Sequence, residues 1–165
     1  MLRLPALIGV PAAAAVLGLV AMSAAAATTG CRPVSGHYTE RDASGPDCTS
    51  PVGLCIAGDY AGDLRGTFTG RATAITPSAD TAETGVLGFV SDSTITARLQ
   101  GRKGTLLIKN AGVFRTAGAG SIVDLQTIVG GTGDFTGATG DLRAEGTFNQ
   151  ATGGRSRYTG QVCLP

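Results

Sequence analysis

Apolar and polar side chains alternate with a period of two through most of this chain. Ile95, Ala97 and Leu99 fall on one side of an extended segment, and Thr94, Thr96 and Arg98 fall on the other. Leu142, Ala144, Gly146 and Phe148 stand in the same way against Arg143, Glu145 and Thr147. A segment of this kind offers one face to a core and one to water, as antiparallel strands do. Strand signals recur at 54–57, 62–76, 87–99, 105–114, 121–129, 141–148 and 156–163, mostly bounded by Gly, Asp, Ser or Asn. The longer segments have room for a bulge or for two strands. No amphipathic helix of useful length follows residue 27. The expected fold is all-β, a small antiparallel closed barrel of about eight strands whose apolar faces line the interior. Small residues among them (Gly66, Gly70, Ala72, Ala97, Gly146) would ease tight coiling or leave room inside.

The first part of the chain breaks this pattern. Arg3, the apolar run 7–20 and the small residues 23–27 are arranged as a cleaved secretory signal, with cleavage expected between Ala24 and Thr29. Pro11 and the lack of a charge directly after the run argue against a retained membrane span. A lipid-modified Cys31 would want a bulky aliphatic three residues earlier, where Thr28 stands. Residues 28–53 are rich in Pro, Gly, Ser and Thr with few bulky aliphatics. They are expected to form an irregular arm ahead of a single barrel domain, 54–165.

Export carries Cys31, Cys48, Cys55 and Cys163 into a compartment where disulfides persist, and four cysteines allow three pairings. The favoured one joins Cys31 to Cys48, stapling the arm, and Cys55 to Cys163, on what read as the first and last strands of a closed barrel.

Composition narrows the possible partners. Lys and Arg total 13 against 12 Asp and Glu, so the chain has no electrostatic footprint for nucleic acid or an anionic membrane, and neither is expected as a partner once the signal is removed. The 26 glycines and the absence of tryptophan suit short twisted strands with tight turns. No metal or other cofactor is expected. There is no C-x-x-C, and the single histidine, His37, reads as a surface loop residue. A serine hydrolase would need that histidine as base and a G-x-S-x-G elbow, which the chain lacks.

The most distinctive stretch runs from 130 to 140, Gly130-Gly131-Thr132-Gly133-Asp134-Phe135-Thr136-Gly137-Ala138-Thr139-Gly140. Its spacing is not that of a dinucleotide or phosphate loop, and it precedes a strand rather than a helix. Its glycines allow a sharp corner, with Phe135 placed to pin the loop to a barrel wall. The stretch resembles the G-G-T-G-x-F-x-x-A-x-G segment of plant dirigent proteins and of related allene-oxide-cyclase-like barrels. The resemblance implies an eight-stranded barrel whose lumen holds an apolar molecule, among relatives that include cyclases. Thr139 stands where dirigent proteins commonly carry Arg, a departure that removes the basic member of a dirigent-type site.

Lumenal candidates follow from the strand faces. Ile95, Leu142 and Phe148 share apolar faces and are expected to line the interior. In 121–129 the choice is open. Asp124 and Gln126 share a face with Ile122 and Ile128, and Val123, Leu125 and Val129 occupy the other. If the Ile122 face turns inward, Asp124 becomes a lumenal carboxylate whose pKa desolvation would raise, suited to a general base or to orienting a substrate. The plainer alternative turns Asp124 to solvent or pairs it with Arg98 or Lys109. The expected function is that of a secreted barrel binding a small apolar ligand in its lumen, with cyclase-like or isomerase-like activity as an extension. Against it stands an extracellular structural or interaction module whose barrel is filled by its own side chains.

Overall fold

A computed structural model describes residues 30–165. They form an all-β closed barrel of eight antiparallel strands in chain order, with the last strand pairing back onto the first. The strands are β1 (Gly30–Asp42), β2 (Cys55–Gly62), β3 (Arg65–Pro77), β4 (Val86–Leu99), β5 (Arg102–Arg115), β6 (Ser121–Gly133), β7 (Thr139–Asn149) and β8 (Gly153–Leu164). One short helix, α1 (Thr81–Thr84), lies between β3 and β4. The expected signal 1–27 and its cleavage window lie outside the described residues. Among those described, no helix is long and apolar enough to cross a membrane.

The arm expected over 28–53 is corrected in its first half. Gly30–Asp42 is a full barrel strand, paired with β8 from Gly30 to Glu40 and with β2 from Gly36 to Asp42. Its inward residues Val34, Tyr38 and Glu40 are each buried. Pro33 is tolerated because it lies where β1 pairs with β8 alone, ahead of the start of pairing with β2, so its missing N–H interrupts no second ladder. Only 43–54 is irregular.

The disulfides are corrected with it. The bonds join Cys31 to Cys163 and Cys48 to Cys55. The premise that a closed barrel sets its first and last strands side by side holds, since Cys31 lies opposite Cys163 in the β1–β8 register. The first strand, however, begins at Gly30, so Cys31 takes the place expected of Cys55. Cys55, at the start of β2, instead staples the 43–54 loop through Cys48. Two disulfides and no free cysteine among the described residues match maturation in an oxidising compartment.

The two ends of the barrel differ. At one, the short connections 63–64, 100–101 and 134–138 bring Leu64, Leu99, Leu106, Phe135 and Val162 together at 1% exposure or less and seal the lumen. The glycine-rich corner builds this end. Gly133 and Gly137, at φ of 61° and 75°, turn the chain so that Phe135, fully buried, packs over Gly104, where an added Cβ would lie 3.2 Å from its ring. Midway along the barrel Tyr38, Tyr60, Phe68 and Tyr158 form an aromatic layer, with ring centroids 4.9 to 5.6 Å apart. A ring of this size fits so narrow a barrel only over a residue without a side chain. A Cβ on Gly58 would come within 2.6 Å of the Phe68 ring, and one on Gly36 within 2.6 Å of the Tyr158 hydroxyl. The opposite end, bordered by the longer connections 43–54, 78–85, 116–120 and 150–152, is the mouth.

Candidate functional site

Between the aromatic layer and the mouth the lumen changes character. Inward positions there carry Glu40 on β1, Ser91 on β4, Asn110 on β5 and Asp124 and Gln126 on β6, all buried at 8% exposure or less. Nearer the opening they carry Ile56, Phe89, Phe114, Ile122 and Phe148. Two adjoining cavities occupy this space. The outer, of about 50 Å³, is lined mainly by the apolar set, with Glu40 and Ser91 at its wall. The deeper, of about 30 Å³, shares Glu40, Ile56, Phe89, Ser91 and Ile122 with it and reaches Asn110, Asp124 and Gln126. Above them an open vestibule of about 480 Å³ at the mouth shares Leu54, Phe114 and Phe148 with the outer cavity.

The open choice for β6 is settled inward. Asp124 is 5% exposed, whereas Leu125 and Val129 on the other face are 51% and 53% exposed. Pairing with Arg98 or Lys109 does not occur. Lys109 instead bridges to Asp92 on the outer surface, and Arg98 is exposed. The physical reason lies in the neighbouring strand: Asn110 supplies a donor that makes an inward carboxylate tolerable, and Gln126 on β6 itself supplies a second. The Asn110 and Gln126 side-chain amides each donate to Asp124 Oδ2 at 2.9 Å, and the Tyr60 hydroxyl donates to Gln126 Oε1 at 2.8 Å. Tyr60, Gln126, Asp124 and Asn110 thus form one buried relay that ends on a carboxylate.

The relay is incomplete on one side. Glu40 Oε1, Asp124 Oδ1, Asn110 Oδ1 and Ser156 Oγ are buried without a hydrogen-bond partner. Burial pushes the Glu40 carboxyl up to about 7, and the nearby Asp124 charge adds to the rise. Burial also raises Asp124, opposed by the bonds from Gln126 and Asn110. The phenols of Tyr38 and Tyr60 are pushed up as well, chiefly by burial, so both stay neutral donors at ordinary pH. A protonated Glu40 beside an Asp124 held by two amides is an arrangement able to give and take a proton.

Of the lumenal residues expected from sequence, Ile95, Asp124 and Gln126 line the deeper cavity and Phe148 lines the outer. Leu142 is fully buried in the core and lines neither. His37, expected as a surface loop residue, is half-buried and belongs to β1. Sequence reasoning misses Glu40, Tyr38 and Tyr60 because it takes β1 for an arm and ends β2 at Ala57. The signal is present in Val34, Gly36, Tyr38 and Glu40, which alternate with Ser35, His37, Thr39 and Arg41. Among the described residues no group of three or more His, Cys, Asp or Glu is placed to hold a metal ion.

Residues 39–160 match the family described as "Protein of unknown function (DUF3224)". The chain belongs to this family. The DUF3224 match begins within β1 and ends within β8, so it takes in Glu40, Asn110, Asp124 and Gln126, and leaves Cys31 and Cys163 outside. No curated protein and no solved structure matches the chain.

Proposed function

We propose that this DUF3224 member is a secreted binding protein that takes a small molecule with a slender apolar body into the mouth half of its barrel. One observation carries the reading: an apolar cavity, which shares lining residues with the open mouth, adjoins a deeper one lined by buried polar groups that the protein leaves unpartnered. Ligand sites combine apolar walls with a few convergent polar groups in this way. Both cavities exceed the roughly 10–15 Å³ that one water needs. The likeness of the 130–140 stretch to the dirigent and allene-oxide-cyclase-like barrels supports the same reading. The aromatic layer and the modest cavity volumes favour a second one, a filled barrel acting as an extracellular structural or interaction module.

Titration with the neutral fluorophore N-phenyl-1-naphthylamine separates the two, helped by the absence of tryptophan background. Saturable binding is expected. It should tighten about tenfold in Phe148→Ala, which widens the outer cavity, and be lost in Ala72→Phe, which fills it. Equal titration curves for all three proteins, or no binding by any, would leave the filled barrel standing. The secretion half is tested separately by N-terminal sequencing of exported protein. A first residue between Ala25 and Thr29 is expected, and a chain still beginning at Met1 refutes it.

A further inference from the structure

We infer that the ligand carries a primary ammonium group, received by Glu40, Asp124 and Asn110 at the floor of the cavity. The inference rests on the lumenal-binding reading above and adds the chemistry of the ligand's head. It begins with the sign of what is missing. The unpartnered side-chain atoms facing the deeper cavity are Glu40 Oε1, Asp124 Oδ1 and Asn110 Oδ1, and all three are acceptors. Their residues are 6%, 5% and 8% exposed, so bulk water does not reach them freely. An acceptor buried in this way lacks a donor, and no side chain hydrogen-bonds to any of the three, although the Tyr38, Ser91 and Ser93 hydroxyls line the same cavity.

The protein also supplies no positive charge. Every lysine and arginine among the described residues is exposed, and His37 lies on the outward alternation of β1 between Gly36 and Tyr38. The titratable groups facing the floor are Glu40 from β1, Asp124 from β6 and the phenols of Tyr38 and Tyr60 from β1 and β2. None of these can become a cation. Two buried carboxyl groups are thus gathered where the fold offers no counter-ion, and one oxygen of each is left without a donor. Such a pair is costly unless something outside the chain completes it.

A primary ammonium matches these oxygens in both respects. It brings one positive charge and three N–H donors, for three unpartnered oxygens. A hydroxyl head would satisfy one acceptor and no charge. A carboxylate head would add a third negative group and be repelled. The ligand's remaining part is set by the walls above the floor, where Ile56, Phe89, Phe114, Ile122 and Phe148 are apolar and Ser91 is the one polar side chain besides Glu40. A linear alkyl or arylalkyl amine is the class that results.

The test uses one apolar body with three heads, hexylamine, 1-hexanol and hexanoate, titrated calorimetrically into the purified protein at pH 8, above the raised Glu40 value of about 7. Hexylamine is expected to bind at least tenfold more tightly than hexanol, and hexanoate not measurably. In a Glu40→Gln/Asp124→Asn variant the amine preference should vanish while hexanol binding persists, which also reports that the lumen is still folded. Equal affinity for amine and alcohol, or a preference that survives the double substitution, overturns the ammonium assignment and leaves the lumenal reading intact. Failure of both hexanol and hexylamine to bind overturns both.

Discussion

Replacement of Cys31 and Cys163 together by alanine is expected to lower the free energy of unfolding by about 5 kcal/mol, against about 2 kcal/mol for Cys48 and Cys55. The difference comes from the loops that the two bonds close, with sequence separations of 132 and 7. A longer closed loop removes more freedom from the unfolded chain, and the cost grows with the logarithm of its length. The long loop here contains nearly the whole barrel. The β1–β8 seam that Cys31 and Cys163 clip also joins residues further apart in sequence than any other strand pair, so it gains most from being tied in advance. Urea unfolding of the two double variants measures both values. An equal or inverted ranking would show that the seam is held by its backbone ladder alone. Non-reducing peptide mapping supplies the independent check: Cys31 is expected in one linked fragment with Cys163, and recovery of Cys55 bound to Cys163 would refute the arrangement.

The second large effect is a loss of stability as pH rises through the weakly acid range. In the unfolded chain Glu40 releases its proton near the ordinary value of 4.5, and in the barrel it holds that proton up to about 7. Between these limits the folded state binds more protons than the unfolded one, so stability falls with rising pH and levels off above about 7. At about 1.4 kcal/mol per pH unit of that window, Glu40 alone accounts for about 3 kcal/mol. Asp124, also raised, acts in the same direction. Asp92 on the outer surface, lowered by Lys109 and Arg71, acts in the opposite sense but only at more acid pH, below its ordinary 3.8. Glu40→Gln should remove most of the slope between pH 5 and 7.5 and should exceed the wild type in stability at pH 8. A wild-type profile that is flat across this window, or a slope that Glu40→Gln leaves unchanged, would mean that Glu40 is solvated in the folded barrel. The same measurement bears on the ammonium ligand, since a bound cation would favour ionised Glu40 and flatten the profile.

Where strands are legible in the sequence, the reason is a mismatch between their faces. Segments 87–99, 105–114, 121–129, 141–148 and 156–163 each lie within an observed strand, because the alternation of apolar and polar residues reports the inside and outside of a barrel directly. β1 is hidden because its inward face is Val34, Gly36, Tyr38 and Glu40, with a glycine and an acid among only two large apolar side chains. Pro33, Gly30 and Gly36 further give it the composition of a loop. The site is hidden for a related reason. A lumenal carboxylate looks the same in sequence as a solvated one, and only Asn110 on the neighbouring strand and Gln126 two residues along distinguish Asp124 from Asp92. Register decides which residues become neighbours across strands, and it depends on a bulge that places Val129 as an extra residue between Ile128 and Gly130. Nothing local in 121–129 announces that bulge.

The seam between β1 and β8 brings Gly30 and Leu164 opposite each other at the sealed end of the barrel, with the mouth at the far end. An attachment made through either extremity of the described chain therefore leaves the opening unobstructed. Immobilised on a sensor surface by a tag ahead of Gly30 or after Pro165, every molecule would present its opening outward with the same orientation. Circular permutation has equally simple geometry: a short linker across the seam would join the old extremities, and new ones cut within 116–120 would fall on the rim of the mouth, where a fused reporter would report occupancy of the lumen.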